Sequence, residues 1–248
     1  MRILLTNDDG LFAPGIAALA MALQAEHELL VIAPDTERSG VGHSFTIYTP
    51  LRLREHSLWG MTAYAFSGTP VDCVKFGIGN MGFEPELVVS GVNAGENLGT
   101  DVLYSGTVGA ATEGVLCGLP AIAVSLCFGE SMDYSPAVEA VKRYIPRMGK
   151  DLHFININVP NQPEGGIKGD KYTALSFQQY EMHYTKRMDP FNRAYYWVPL
   201  GKLTQHAPDD DTDERWIHEG YVTITPLSTD RTDYRRLRAL TGEGSGQT

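Results

Sequence analysis

The chain has 248 residues, 43% of them hydrophobic, enough to bury one large α/β core. Lys+Arg 20 against Asp+Glu 30 gives a formal net charge of -10, which argues against a nucleic-acid polymer or an anionic membrane as partner; an acidic protein that handles phosphate needs a metal ion or backbone N–H groups to supply the positive field. No apolar run reaches the roughly 18 residues of a membrane span, and the first residues read as a strand rather than a signal peptide, so a cytoplasmic protein is expected.

Ile3, Leu4 and Leu5 form a short apolar run of the kind buried on both faces of a parallel sheet. Asn7, Asp8, Asp9 and Gly10 end it. Ligands of open α/β sheets bind beyond the carboxyl ends of the strands, where these two acids stand. Successive strand side chains face opposite ways, so both acids serve one site only if the backbone has already left the strand. The same four residues also make an ordinary turn, and position alone leaves both readings open. Pro14 opens a helix with Ile16, Leu19, Ala20 and Leu23 at helical spacing, and residues 28–33 (ELLVIA) are a second buried strand ended by Pro34. Strand, helix and strand make one right-handed βαβ unit, which predicts a Rossmann-like sheet. The next loop, 34–44, is polar, punctuated by glycine and longer than most such connections. It offers the Ser39 hydroxyl beside Gly40, with Arg38 and His43 as donors or positive charges.

Residues 46–54 and 63–66 read as strands. Thr69 as N-cap, Pro70 in the first turn and Asp72 three residues after the cap mark a helix start, with Asp72 structural. Residues 86–90 (ELVVS) are a buried strand leading into 91–101, where glycines alternate with Asn93 and Asn97 and let backbone come close to a ligand. Ser105, Gly106 and Thr107 open a helix whose apolar face is Val108, Ala111, Val115 and Leu116. A hydroxyl there lies beside unpaired N–H groups, which suits an anion and equally a simple cap. Residues 120–126 and 154–159 read as strands on either side of a helix over 135–145. Cys73, Cys117 and Cys127 are odd in number, lie in apolar surroundings and show no CxxC pairing, so buried reduced thiols are expected.

Beyond Pro160 the pattern changes. Residues 172–177 and 194–199 read as strands around the polar, aromatic stretch 179–192, predicting a projecting β-hairpin whose natural use is packing against another subunit. His206 and the acidic run 209–214 read as a solvated loop with helix N-terminal acids rather than a second metal site. Residues 221–225 alternate as a strand, 230–240 make a short arginine-rich helix, and 241–248 read as a disordered tail. The expectation is a single α/β domain over 1–248. Its three-layer, mostly parallel Rossmann-like core covers about 1–178 and carries the site; hairpin and C-terminal oligomerisation elements follow over about 179–240.

Three loops at the carboxyl ends of neighbouring strands thus offer Asp8 and Asp9, Ser39, and Asn93. Two carboxylates, a hydroxyl and an amide carbonyl, without cysteine or paired histidine, make a hard-oxygen set that suits Mg²⁺ or Mn²⁺ better than Zn²⁺. The neighbouring glycine-rich loop and helix N-terminus would hold an anion. A cation beside an anion site is what phosphoester hydrolysis requires, since the cation polarises the phosphoryl oxygen while fixed N–H donors stabilise the developing charge.

The motifs ILLTNDDG (3–10), APDTERSG (33–40) with Gly42-His43-Ser44, SGTP (67–70), SGVNAGENLG (90–99) and YSGTV (104–108), with YVTITPL (221–227) late in the chain, stand in an order and spacing that resembles the SurE family of stationary-phase survival proteins. These are divalent-metal-dependent 5'- and 3'-nucleotidases. The resemblance implies that Asp8, Asp9, Ser39 and Asn93 bind one divalent cation per subunit. It implies that Ser39, Gly40, Asn97 and the Ser105-Gly106-Thr107 turn help hold phosphate, and that the C-terminal part builds a homodimer or homotetramer by exchanging a swapped arm. The implied reaction is hydrolysis of nucleoside monophosphates to nucleoside and phosphate, with short polyphosphate as a further substrate. Asp8, Asp9 and Asn93 are then the candidate catalytic residues, and His43 is a candidate donor to the leaving group. Two rival readings stand beside it. One is a haloacid-dehalogenase-like aspartyl-phosphate phosphatase, whose acids are spaced Asp-x-Asp where here they are adjacent; the other is a nucleotide-binding module without turnover.

Overall fold

The apolar runs of the chain become the strands of one nine-stranded sheet. The computed structural model describes residues 1–180, 183–198, 203–207 and 211–241, with the main chain alone at 178 and 203–207. Six strands run parallel: β1 (Arg2–Thr6), β2 (Glu28–Pro34), β4 (Met61–Phe66), β5 (Leu87–Ala94), β6 (Ala121–Leu126) and β7 (Phe154–Val159). Strand β3 (Leu53–Leu58) is antiparallel to β4 at one edge. At the other edge β13 (Val222–Pro226) is antiparallel to β7, and β8 (Asp170–Tyr172) is parallel to β13. The order β3-β4-β2-β1-β5-β6-β7-β13-β8 reverses direction between β1 and β5. That switch point, with its crevice at the carboxyl ends, is where an open α/β sheet takes a ligand.

Strand periodicity sorts the core into two halves. Ile3 and Leu5 face one side with Val31, Val89 and Ile122, against α1 (Pro14–Leu23) and α4 (Ser135–Tyr144). Leu4 faces the other with Ile32, Val88 and Phe154, against α2 (Pro70–Asn80) and α3 (Gly106–Leu116). These are the expected three layers, each buried aliphatic side chain contributing about 1.5–3 kcal/mol. On the α3 side, however, the strands turn polar toward their carboxyl ends. Leu4 gives way to Thr6, Val88 to Ser90, Ala123 to Ser125, and Phe154 to Asn156 and Asn158, all fully buried.

The helix starts follow their local signals. Thr69 and Asp72 form a reciprocal capping box at α2, with Asp72 N donating to Thr69 Oγ1 at 3.1 Å and Thr69 N donating to Asp72 Oδ2 at 2.9 Å. Ser105 caps α3 by accepting the Val108 N–H at 3.1 Å.

Several expectations are corrected. Of the strand expected over 46–54, only its end belongs to β3; 46–52 are irregular, and the segment is fastened at its start to the beginning of α2. Thr46 donates its N–H (3.0 Å) and hydroxyl (2.7 Å) to Asp72, and the Ser44 carbonyl accepts from the Thr69 hydroxyl at 2.7 Å. Asp72 therefore holds this segment as well as its own helix. Cys73 is buried and Cys127 half-buried, but Cys117 is exposed, as is Leu116, because α3 ends there; all three are free thiols. The expected hairpin is two antiparallel ribbons. Strands β9 (Phe177–Tyr180) and β12 (Leu203–Ala207) pair, and β10 (Thr185–Met188) pairs with β11 (Ala194–Trp197) beyond them. Residues 172–177 are not one strand, since the chain leaves β8 at Tyr172 and resumes pairing at Phe177. Helix α5 (Asp213–His218) follows, and α6 (Tyr234–Thr241) buries none of its side chains. The tail at 242–248 and the acids Asp209 and Asp210 lie outside the described residues, as does the His206 side chain.

Candidate functional site

The chain leaves β1 through an Asn7 turn. Asn7 Oδ1 accepts the Gly10 N–H at 3.2 Å and its amide donates to the Gly10 carbonyl at 2.9 Å, while Gly10 takes a φ of 99° that favours glycine. The turn reading and the site reading are therefore compatible: the turn carries Asp8 and Asp9 off the strand together. The Asp8 carbonyl accepts the Arg38 N–H at 2.7 Å, tying down the 34–44 loop. The Asp8 side chain, 4% exposed, seats on the start of α3, where the Thr107 hydroxyl and the Gly106 and Thr107 N–H groups donate to it. Burial nonetheless holds its carboxyl above the ordinary range. Asp9 accepts the Ala94 N–H at 3.0 Å. Burial first, and then repulsion from Asp8 and Glu37, raises it to about 6.

Gly106 is required by this packing. A Cβ there would stand 2.8 Å from Asp8 Cβ and 2.9 Å from Asp8 Oδ2. Gly106→Ala is expected to displace Asp8 and lower turnover by roughly tenfold or more, with far-ultraviolet circular dichroism unchanged. Parent-like turnover would show that the Asp8 position is not critical.

Asp8 opens on a cleft of about 280 Å³ that also exposes Ser39, Gly40, Asn93, Asn97 and Ser105. Among the described residues no lysine or arginine lines it. Ser39 donates its proton to Glu37 at 2.6 Å, which leaves the hydroxyl oxygen as an acceptor toward the cleft. Asn93 commits its amide nitrogen to the Gly95 carbonyl at 2.8 Å, which leaves its amide oxygen. Ser105 accepts from Val108 N–H and so retains a proton to donate. Among the described residues no group of three His, Cys, Asp or Glu side chains could hold a metal, so a cation here depends on the Ser39 and Asn93 oxygens as well as the carboxylates. Two neighbouring carboxyls beside two free neutral oxygens, with no cationic side chain among the described residues lining the cleft, fit a hard divalent ion.

The predicted residues do not all reach the cleft. Asp9, Gly106 and Thr107 stand behind its lining. His43 does not line it: Gly42 N–H donates to the Tyr104 carbonyl at 2.8 Å, the chain passes over α3, and His43 Nε2 meets Glu113 at 2.9 Å, whose other oxygen takes Lys75 at 2.9 Å. The acidic run is also corrected. Asp213 is fully buried and Glu214 is 5% exposed, so these two acids are not solvated.

Asn156, Asn158, Ser125 and Tyr180 hold the site without having been singled out. Asn97 N–H donates to Asn158 Oδ1 at 2.8 Å, and its carbonyl accepts from Asn156 (2.8 Å) and Asn158 (3.1 Å). Its side-chain amide donates to Ser125 Oγ at 2.8 Å. The signal was present in FININV, where two asparagines interrupt an otherwise apolar strand; a buried amide needs partners to offset its desolvation. The hydroxyl of Tyr180 in β9 donates to Asp101 at 2.6 Å on the cleft wall, so the C-terminal excursion returns to the site.

Residues 3–182 match the family model described as Survival protein SurE. The chain is 48% identical over 242 residues to the 5'-nucleotidase SurE of Desulfitobacterium hafniense, covering 97% of this chain and 96% of that one. It is 45% identical over 246 residues to that of Pelotomaculum thermopropionicum, covering 97% and 94%. Its fold resembles the crystal structure of the SurE protein from Aquifex aeolicus, with a TM-score of 0.80, 37% identity, and coverage of 98% of this chain and 99% of that chain. With the family model spanning most of the chain and these relatives matching nearly all of it, the protein belongs to the SurE family.

Proposed function

We propose that this protein is a divalent-metal-dependent phosphomonoesterase that hydrolyses nucleoside 5'-monophosphates, accepts 3'-monophosphates in the same cleft, and takes short polyphosphate as a secondary substrate. The nucleotidase name of its relatives supports the substrate class. The observation that carries the reading is the Asp8–Asp9 pair, two carboxyls raised by burial, with Asp8 on the cleft and Asp9 directly behind it, where no lysine or arginine among the described residues lines the cleft. Bound at Asp8, Asp9, Ser39 and Asn93, a Mg²⁺ or Mn²⁺ ion supplies Lewis-acid polarisation of the phosphoryl oxygen and a lowered water pKa.

The chain's own groups do the rest. Ser105 donates its free proton to a phosphate oxygen, and Asn97, held by three neighbours, presents the loop against which the phosphate rests. Asp8 or Asp9 orients the attacking water for in-line displacement, Asp8 being the one that lines the cleft. The leaving oxygen takes its proton from solvent, since His43 faces Glu113 outside the cleft. The exposed aromatics of the β10–β11 ribbon (Phe191, Tyr196, Trp197) and the exposed apolar residues of α6 supply the contact for a homodimer or homotetramer. Among the described residues no helix is long and apolar enough to cross a membrane. Three free thiols support a reducing, cytoplasmic setting.

Phosphate release is measured with a panel of nucleoside 5'- and 3'-monophosphates in Mg²⁺ or Mn²⁺, then in EDTA. Turnover is expected to vanish in EDTA and return with the ion; undiminished turnover in EDTA sinks the metal site. Binding of AMP with no phosphate release would favour a sensing module instead.

A further inference from the structure

The outer half of the cleft differs from the inner half. Beyond Asn93 its walls are Glu96, Asp101, Tyr104 and Phe128. Phe128, just past the end of β6, is 72% exposed, and Tyr104 is 60% exposed. An aromatic ring left that open normally moves freely, but Phe128 is seated. A Cβ on Gly95 would lie 2.5 Å from Phe128 Cε2 and 2.9 Å from Cζ, so the ring rests directly on the Gly95 backbone at a place only glycine leaves open; the Gly95 φ of 114° excludes side chains as well. The Phe128 N–H donates to Glu96 at 3.3 Å, which holds the main chain. Gly95 is the same residue whose carbonyl takes the Asn93 amide at 2.8 Å. The ring is thus one residue removed from a side chain of the phosphate end. Charge limits what sits there: with Glu96 and Asp101 as its charged groups among the described residues, this half repels a further phosphate and suits an uncharged, flat group bearing N–H or O–H donors.

We propose that Phe128, seated on Gly95 with Tyr104 on the same cleft, is the platform on which the nucleobase of a nucleoside monophosphate stacks. Glu96 and Asp101 accept hydrogen bonds from the donors of the nucleoside. The phosphate end grips any phosphomonoester; the platform makes the enzyme a nucleotidase rather than a general phosphatase. This rests on the nucleotidase reading above. Stacking on an aromatic side chain tolerates any base, so discrimination among bases is expected to be modest.

The test uses the metal-loaded enzyme with AMP and with ribose 5-phosphate, which shares the phosphate and sugar but lacks the base. Phe128→Ala is expected to raise KM for AMP about tenfold with kcat within about twofold, and to change ribose 5-phosphate kinetics by less than about twofold. Phe128→Trp is expected to restore the parent KM for AMP. An unchanged KM for AMP in Phe128→Ala, or an equal loss on both substrates, would overturn the platform while leaving the nucleotidase intact. A parent enzyme that releases phosphate from neither compound would overturn both readings together.

Discussion

Replacing Asp8 by asparagine is expected to lower phosphate release from AMP by about a thousandfold or more while making the metal-free protein more stable. The first effect follows from removing one of the two carboxylates proposed to hold a cation, and its size is on the order of what loss of a preorganised charge-stabilising group costs. The second follows from the same geometry. Asp8 is buried and Asp9 half-buried, and burial holds both carboxyls above their unfolded values; repulsion from Asp8 and Glu37 adds to this for Asp9, which reaches about 6. The folded chain therefore binds more protons than the unfolded chain between about pH 4 and 6, and metal-free stability falls as pH rises through that window. At neutral pH the ionised pair is a cost that a cation bound there would offset. In EDTA at pH 7, Asp8→Asn is expected to raise Tm by a few degrees, at about 2–4 °C per kcal/mol for a domain of this size. Adding Mn²⁺ is expected to raise the parent Tm more at pH 7 than at pH 5, and the variant Tm little at either. A lower Tm for the variant in EDTA would show that the Asp8 hydrogen bonds to α3 outweigh its desolvation, contrary to this account.

Asp213→Ala is expected to cost about 3 kcal/mol or more of stability and to weaken substrate binding. Asp213 is fully buried, and three main-chain donors converge on its carboxylate: Gly99 N–H on Oδ2 at 2.8 Å, Ser176 N–H on Oδ1 at 2.8 Å, and Glu214 N–H on Oδ1 at 2.9 Å. Truncation strands these donors, at about 1–3 kcal/mol for each one left unsatisfied. Gly99 lies between Asn97 and Asp101, both on the cleft, so the side chain fastens the cleft wall to the start of α5 and to the segment before β9. KM for AMP should therefore rise along with the loss of stability. Asp213→Asn, with one acceptor oxygen and an amide in place of the other, should fall between the two. Urea unfolding and steady-state kinetics measure both effects; a stability loss under about 1 kcal/mol would mean that water replaces the carboxylate.

These two residues show what could be read from the chain in order. Asp8 stood out because it follows a buried strand within a few residues, and the strand, the turn residues and the glycine are all local signals. Asp213 looked like its neighbours in an acidic run. What separates it from them is contact with Gly99, 114 positions away. His43 failed in the converse way: the loop that carries it was rightly identified, but the direction in which the side chain leaves that loop depends on Gly42 meeting Tyr104 and on Glu113 lying beneath.

Alternation is not needed to recognise buried strands such as RILLT (2–6); their apolar continuity, the helices between them and the glycine- and asparagine-bearing loops at their ends determined the parallel α/β sheet and the end of it that carries the candidate site. The Asp8 and Ser39 loops were legible for the same reason, because each follows a strand of known direction; Asn93, expected in the loop after 86–90, instead lies at the carboxyl end of β5 itself, which runs on to Ala94. Only the tertiary structure decided which polar groups are buried and what partners them: Asn97 on Asn156, Asn158 and Ser125, Asp213 on the cleft wall, and Phe128 on Gly95. Backbone conformation and burial period are set largely by neighbours along the chain. The partner of a buried polar group is set by sheet register and loop packing across 61 residues in one case and 114 in another, and no local pattern carries that distance.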